Sequence, residues 1–384
     1  MKFLFFEILV LLNLSLSAQL VWCGSIYENT DQSAQTEAFI RNYQPGERAV
    51  VTISVAVHII YQNDDDNISD QRVVDALDAL NEDYRAQNDL DIVPDNFANL
   101  IADTDIEFCL GQTPNSSSPT VFRRQTTIPN IGTASSNGQR RVFYNDLGGS
   151  DPIDPATHLN IYVCDMGGLI GQGIYPDNAG PIEDGVIISF DVFGRGDYLD
   201  PPYDRGRTLT HEVGHYLNLR HPWGNNLGDC SEDDLVNDTP NTSKNYLGDC
   251  STTGNSCGSD DMPTNFMYYT DDACMANFTP DQKLRMLATL GGPRAGLPDG
   301  GSCMPTSVAS PILPDDLKIF PNPVRGTLFI ESQELIEEIR IFDASGRLIY
   351  SGTERQIATH EWGRGVFLLE IRRKDLRLSK MIVQ

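Results

Sequence analysis

The sequence predicts an α/β domain followed by a small all-β sandwich. Three observations predict this order. Apolar residues alternate with period two over Val50–Tyr61 and then recur at helical spacing in DQRVVDALDALNEDYRAQ. Strand-like runs near 104–111, 158–164 and 185–192 follow, then a further helix beginning near Arg205 and a loop-rich stretch. The last 70 residues carry only short alternating runs, LKIFP, TLFIES, EIRIFD, RLIYSG, VFLLEIR and SKMIVQ, separated by PNP, ASGR and GRG.

Taken in order, residues 1–18 read as a signal peptide. Lys2 supplies the positive start, Phe3 to Leu16 is mostly apolar, and Ala18 is a fitting last residue before cleavage. That run is too short to span a bilayer, and no other stretch qualifies, so an exported protein without a transmembrane segment is expected. Residues 19–47 are polar and weakly patterned, as in a pro-segment or tail. Within the first strand Val51, Ile53, Val55, Val57 and Ile59 share one face. Ser69 stands where an N-cap belongs, and Val73, Ala76, Leu77 and Leu80 form one helical stripe. The large domain is placed at 48–291. Residues 292–314, rich in glycine and proline, read as a linker, and 315–384 as the sandwich.

The charge divides the chain at the same point. Its net value is −26, yet from Asp315 onward eleven basic residues balance eleven acidic ones, so the acidic excess lies before 315. Nothing here offers a basic footprint for nucleic acid. An acidic surface suits cations or basic peptides, and equally plain solubility.

Eight cysteines in an exported chain point to disulfides. Cys109 and Cys164 lie in strand-like runs, and a Cys109–Cys164 bridge between neighbouring strands is expected. Cys230, Cys250, Cys257 and Cys274 cluster in a glycine- and asparagine-rich loop that two bridges would hold together. Spacing alone leaves their pairing open.

The chemistry concentrates in HEVGHYLNLRH, residues 211–221. Residues four apart share a helix face, so His211 and His215 can bind one ion, with Glu212 beside them to act on a water. His221 reaches the same ion only if the chain turns sharply, and Asn218 sits where that turn needs a left-handed residue. Three histidines and an open fourth position make a catalytic rather than a structural zinc site. A solvated helix with incidental histidines is the bland alternative, and three of the chain's six histidines within eleven residues weigh against it. His58, His158 and His360 read as ordinary residues.

This run resembles the metzincin signature, with Asn218 in place of the usual Gly. NFMYYTDDACM, from Asn265, resembles the Met-turn of the pappalysin branch, and the match extends over roughly residues 23–290. The resemblance implies a metzincin-like catalytic domain, a twisted mixed sheet with an active-site helix, acting as a zinc endopeptidase on proteins or peptides. It implies Glu212 and Tyr269 as catalytic groups, Met267 as the base beneath the zinc, and a preference for Arg after the cut. Glu47–Arg48 or Ile40–Arg41 would then be self-activation sites. It further implies a calcium loop at Asp233, Asp234, Val236, Asp238 and Thr239, where carboxylates and carbonyls suit a hard cation. It pairs Cys230 with Cys257 and Cys250 with Cys274. Trp22-Cys23-Gly24-Ser25 resembles the family's Cys-Gly switch, in which a thiolate occupies the fourth zinc position; Trp22 stands where the family has Arg.

The C-terminal runs IFPNPVRGTLFIES, IRIFDASGRLIYSG and KMIVQ resemble a type A sorting domain of the type IX secretion system. This implies export through periplasm and outer membrane to the medium or cell surface, with the secretion machinery as partner. Two other classes fit less well: an adhesion protein with a structural zinc, which would want four protein ligands, and a zinc hydrolase of a non-peptide bond.

Overall fold

A computed structural model describes residues 21–383, apart from 29, 45–49, 114–117, 197, 226, 249, 301–302, 304–316, 321–323, 325, 333–334, 344–346, 361, 364 and 374–375. The signal peptide and Glu47–Arg48 lie outside the described residues.

The first domain is organised around one long strand. In chain order its sheet elements are β1 (Val21–Cys23), β2 (Val51–Tyr61), β3 (Ile106–Leu110), β4 (Val121–Gln125), the small hairpin β5 (Ser135–Ser136) and β6 (Gln139–Arg140), then β7 (Leu159–Cys164), β8 (Leu169–Gly173) and β9 (Val186–Ser189). The main sheet has seven strands in the order β1-β8-β9-β7-β2-β3, with β4 also on β2. It is mixed, because β8 alone runs antiparallel to its neighbour β9 while the other pairings are parallel.

Strand β2 lies between β7 on one edge and β3 and β4 on the other, and residues on both its faces are buried. The predicted face, Val51 to Ile59, enters the main core. The other face is buried as well, and His58 is stacked between Phe122 and Tyr162 with its ring nitrogens on Ser150 and Asn160. Burial lowers its pKa to about 4, so this histidine is a neutral core residue.

Helix α1 (Asp31–Asn42) occupies the polar run that showed no periodicity. Its start signal is local: Thr30 and Ser33 form a capping box. Helix α2 (Asp70–Tyr84) starts at Ser69, whose hydroxyl accepts from Arg72 N, and buries Val73, Ala76, Leu77 and Leu80. Helix α3 (Arg207–Tyr216) packs against α2 and β8. Helix α4 (Pro280–Gly291) begins with a Thr279–Gln282 capping box and touches α1. Between α3 and α4 the only strands among the described residues are the three-residue β10 (Gly254–Ser256) and β11 (Ser259–Asp261).

Disulfides join Cys230 to Cys257 and Cys250 to Cys274, within this loop-rich stretch. The expected Cys109–Cys164 bridge does not form; Cys109 is bonded to Cys303 and Cys164 is free and buried. The reason is strand order. Cys109 pairs with Ser54 and Cys164 with Ile60 on opposite sides of β2, so a full strand and six residues of register separate them. Residues just past 291 are likewise tied to this domain rather than spacing it from the next. Arg294 is buried against Asp184, Leu297 joins the main core, and Cys303 bridges the β3 edge.

The C-terminal part forms two sheets over a separate core of Leu328, Ile330, Ile339, Ile341, Leu369 and Ile371. One contains β12 (Lys318–Phe320), β13 (Thr327–Glu331) and β16 (Gln356–Ala358). The other contains β14 (Glu338–Phe342), β15 (Leu348–Gly352), β17 (Val366–Arg373) and β18 (Leu376–Val383).

Candidate active site

Helix α3 has no side chain to cap its own first turn, since Gly206 precedes it. The carboxylate of Asp272, from the far loop, accepts from Arg205 N at 2.9 Å and Arg207 N at 3.2 Å instead. A remote anion thus satisfies the exposed amides and opposes the helix dipole. Burial nonetheless raises its pKa to about 7.

Four residues apart on α3, His211 and His215 face the same point, and their Nε2 atoms are 3.0 Å apart. After Tyr216 the chain reverses through Asn218 at φ 73°, the left-handed turn that residue suits. The reversal brings His221 Nε2 to 3.1 Å from His215 and 3.3 Å from His211. His211 Nδ1 lies 2.7 Å from Phe266 O, and His215 Nδ1 lies 2.8 Å from Leu219 O and 2.9 Å from Tyr175 Oη. A ring donating through Nδ1 to a carbonyl presents a bare lone pair at Nε2. Burial lowers the pKa of His215 to about 4, and burial plus the neighbouring rings lowers His211 and His221 further, so all three are neutral. Converging lone pairs repel one another unless a cation lies between them. The nitrogen separations match roughly the 3.3 Å expected of tetrahedral ligands at ~2.0 Å from zinc. The residues therefore fit a metal.

Cys23 Sγ completes the group, and these four form the one cluster of potential metal ligands among the described residues. Burial, then the Glu212 carboxylate, raises the Cys23 thiol well above its ordinary pKa. A thiolate there needs a cation beside it.

Glu212 points at the edge strand. Its Oε2 accepts from Gly173 N at 2.7 Å and Ser25 Oγ at 3.0 Å, with Cys23 Sγ at 3.5 Å, while Oε1 is buried without a partner. Burial raises its pKa to about 7 against those hydrogen bonds. The close approach depends on glycine: a Cβ at Gly171 would meet Glu212 Cγ at 2.6 Å, and one at Gly173 would meet Glu212 O at 2.0 Å.

Below the helix, Met267 is fully buried, and a Cβ at Gly214 would meet its Sδ at 2.6 Å. The turn carrying Met267 is fixed by Asn265, whose side chain accepts from Met267 N and pairs with the amide of Gln282. Tyr269 packs 4.9 Å from His221 and 5.6 Å from His211, and Trp223 stacks on His221 at 4.6 Å.

The expected calcium residues are less uniform. Asp234 is buried and accepts from Thr239 Oγ1 at 2.6 Å and Val236 N at 3.1 Å, while Thr239 Oγ1 also contacts Val236 O. These three residues satisfy one another by hydrogen bonds. Asp233 holds the Leu235 amide, and Asp238 accepts from Thr279 and Asp281 N at the start of α4.

Sequence reasoning missed Ser25, Tyr175, Trp223 and Asp272. Ser25 and Asp272 stand inside the quoted motifs without a role assigned to them, and all four reach the site through strand order or loop path.

Against known proteins, a family described as pregnancy-associated plasma protein-A matches residues 144–291, and one described as a secretion system C-terminal sorting domain matches 318–384. The chain is 29% identical over 279 residues to an extracellular metalloprotease of Arthroderma benhamiae, 69% of this chain and 82% of that protein. It is 34% identical to a solved mutant of promirolysin from Tannerella forsythia, with TM-score 0.63 over 72% of this chain and 97% of that one. Mature mirolysin of Tannerella forsythia in complex with a cleaved peptide is 36% identical, with TM-score 0.56 over 66% of this chain and 97% of that one.

Proposed function

This chain belongs to the pregnancy-associated plasma protein-A, or pappalysin, family and is a secreted or cell-surface metalloendopeptidase; from that premise we propose how its residues cut a peptide and how cutting is withheld. The ion is zinc, held by His211, His215 and His221. The convergence of three unprotonated Nε2 atoms within 3.3 Å carries this reading. When bound, zinc supplies Lewis-acid chemistry that polarises the scissile carbonyl and makes a water acidic.

Glu212 is the general base. Its Oε2 is fixed by the Gly173 amide, and its unpartnered Oε1 is the oxygen that takes the proton and returns it to the leaving amine. Tyr269 donates its hydroxyl to the developing oxyanion. The edge of β8 offers main-chain groups to an extended substrate.

Here that edge is taken. β1 pairs with β8, Cys23 faces the histidines, and Ser25 covers Glu212. Residues 19–47 are thus read as a pro-segment and Cys23 as a latency switch. Release would follow a cut before an Arg, the family's preference. Ile40–Arg41 lies in the last turn of α1, so a cut there requires the helix end to unwind. The Asp234–Val236–Thr239 loop holds calcium. The C-terminal domain directs the chain to the type IX secretion machinery.

The test is the zinc-loaded chain freed of its pro-segment, with and without Glu212→Ala. The variant should keep about one zinc while peptide turnover falls at least about a thousandfold. Equal turnover would remove Glu212 from the reaction. Independently, Cys23→Ala in the full chain should cleave peptide before any processing; a silent variant would place latency elsewhere.

A further inference from the structure

We infer that Arg220 and Arg285 form a carboxylate-binding subsite of the cleft, filled here by Glu37 and, once the pro-segment leaves, by an acidic side chain of the substrate. The inference rests on the peptidase reading above.

Glu37 on α1 is only 6% exposed. Its Oε1 accepts from Arg220 Nη2 at 2.9 Å and also from Arg285 Nη2, and its Oε2 accepts from Arg285 Nη1 at 2.9 Å. Two guanidinium groups from different elements, the loop after α3 and helix α4, thus share one oxygen. Like charges brought so close need an anion between them, and burial magnifies that need. Burial pushes the Glu37 carboxyl up, yet the two arginines outweigh it and hold its pKa below the usual value.

The arginines are positioned by contacts that divide between the two parts of the chain. Arg285 Nε donates to Asn218 O at 2.6 Å, which belongs to the metal loop and stays when α1 goes. Arg220 immediately precedes the ligand His221 and stacks over Tyr27, 3.4 Å from the ring centroid. Glu232 and Asp233 line, with Tyr27, Glu37 and Arg220, a cavity of about 870 Å³ between α1 and the loop beyond the metal ligands. Their carboxylates hold the amides of Asn225 and Leu235, and neither pairs with Arg220 or Arg285 among the described residues.

The pair is within reach of a bound peptide. Tyr27 lies four residues beyond Cys23 and also packs edge-on against Tyr175, whose hydroxyl touches His215. An extended chain advances ~3.3 Å per residue. A residue three or four positions from the bond over the metal therefore stands above Arg220. A carboxylate there can take the forked hydrogen bonds Glu37 now takes.

The test uses the full zinc-loaded chain after pro-segment removal and peptide pairs differing only by Glu or Gln, three or four positions from the cut on either side. At one position Glu should be favoured about tenfold, mainly through KM, and Arg220→Gln should bring that ratio near one. No preference at any of these positions, or a preference that survives Arg220→Gln, overturns the proposal. A second measurement needs no altered enzyme: synthetic peptides spanning residues 25–43 are titrated into the processed enzyme by calorimetry, with Glu37 or Gln at that position. The Gln peptide should bind about tenfold more weakly, and equal binding overturns the proposal. Failure to cleave any peptide would sink the peptidase reading alone, because the calorimetric comparison still decides the fate of the arginine pair.

Discussion

Residues 51–216 and residues 217–279 build one metal site by different physical means. The first region uses six strands of the seven-stranded sheet, two helices and an apolar core, and it delivers His211, Glu212 and His215 through helical spacing. The second has no regular element longer than three residues among those described, yet it delivers His221, Met267 and Tyr269. It is held by two disulfides, by side chains that cap backbone amides, and by the amide pair of Asn265 and Gln282. In the sheet region, geometry follows from many weak apolar contacts, each replaceable. In the loop region it follows from a few specific bonds, so losing one should displace catalytic groups without melting the sheet.

Three measurements can break or sharpen that contrast. The largest effect is expected from replacing Cys250 and Cys274 by serine. Freeing a loop of this length should cost about 3 kcal/mol of unfolding free energy. Zinc affinity should fall with it, while far-ultraviolet circular dichroism keeps the signal of α2 and the sheet. Loss of the whole signal in one step would show the two regions to be a single cooperative unit.

The second concerns Asp234. Burial raises its carboxyl to about 7, against hydrogen bonds from Thr239 and the Val236 amide. A carboxyl raised above its unfolded value favours the fold while protonated, and that contribution is lost as pH climbs through about 7. Calcium reverses the sign, because it binds the ionised form. The rise in Tm given by millimolar calcium should therefore grow between about pH 5 and pH 8 and vanish in Asp234→Asn. A gain independent of pH would exclude Asp234 as a ligand.

The smallest effect is at the hinge between the regions. Asn218 has φ 73°, so Asn218→Ala should cost about 1–2 kcal/mol, and Asn218→Gly should stay within about 0.5 kcal/mol of the parent, read by denaturant titration. Equal costs would mean that the Asn side chain, rather than backbone conformation, sets the turn.

Much of the sheet region was legible in the sequence because its information is periodic. The alternation from Val51 to Ile59 marked a core face, Ser69 marked a helix start, and the i, i+4 histidines marked a shared helix side. Asn218 was legible for a local reason too, since few residues tolerate its backbone. Helix α1 was not, because its face toward the catalytic domain is polar: Ser33, Thr36 and Glu37 are its buried residues. Thr36 donates to Asp177, and Glu37 lies between two arginines.

What the sequence determined by itself was therefore the set of groups able to do the chemistry and the short-range geometry of those on one helix. The tertiary structure alone decided which distant groups meet them. Strand order put β2 between Cys109 and Cys164 and sent Cys109 to Cys303. The loop path placed Asp272 at the start of α3, and the edge pairing of β1 with β8 set Cys23 against the histidines. Cys109 and Cys303 stand 194 positions apart, and Glu37 and Arg285 stand 248 apart. No periodicity encodes such contacts, because they follow from how whole elements pack to bury their faces and satisfy their polar groups.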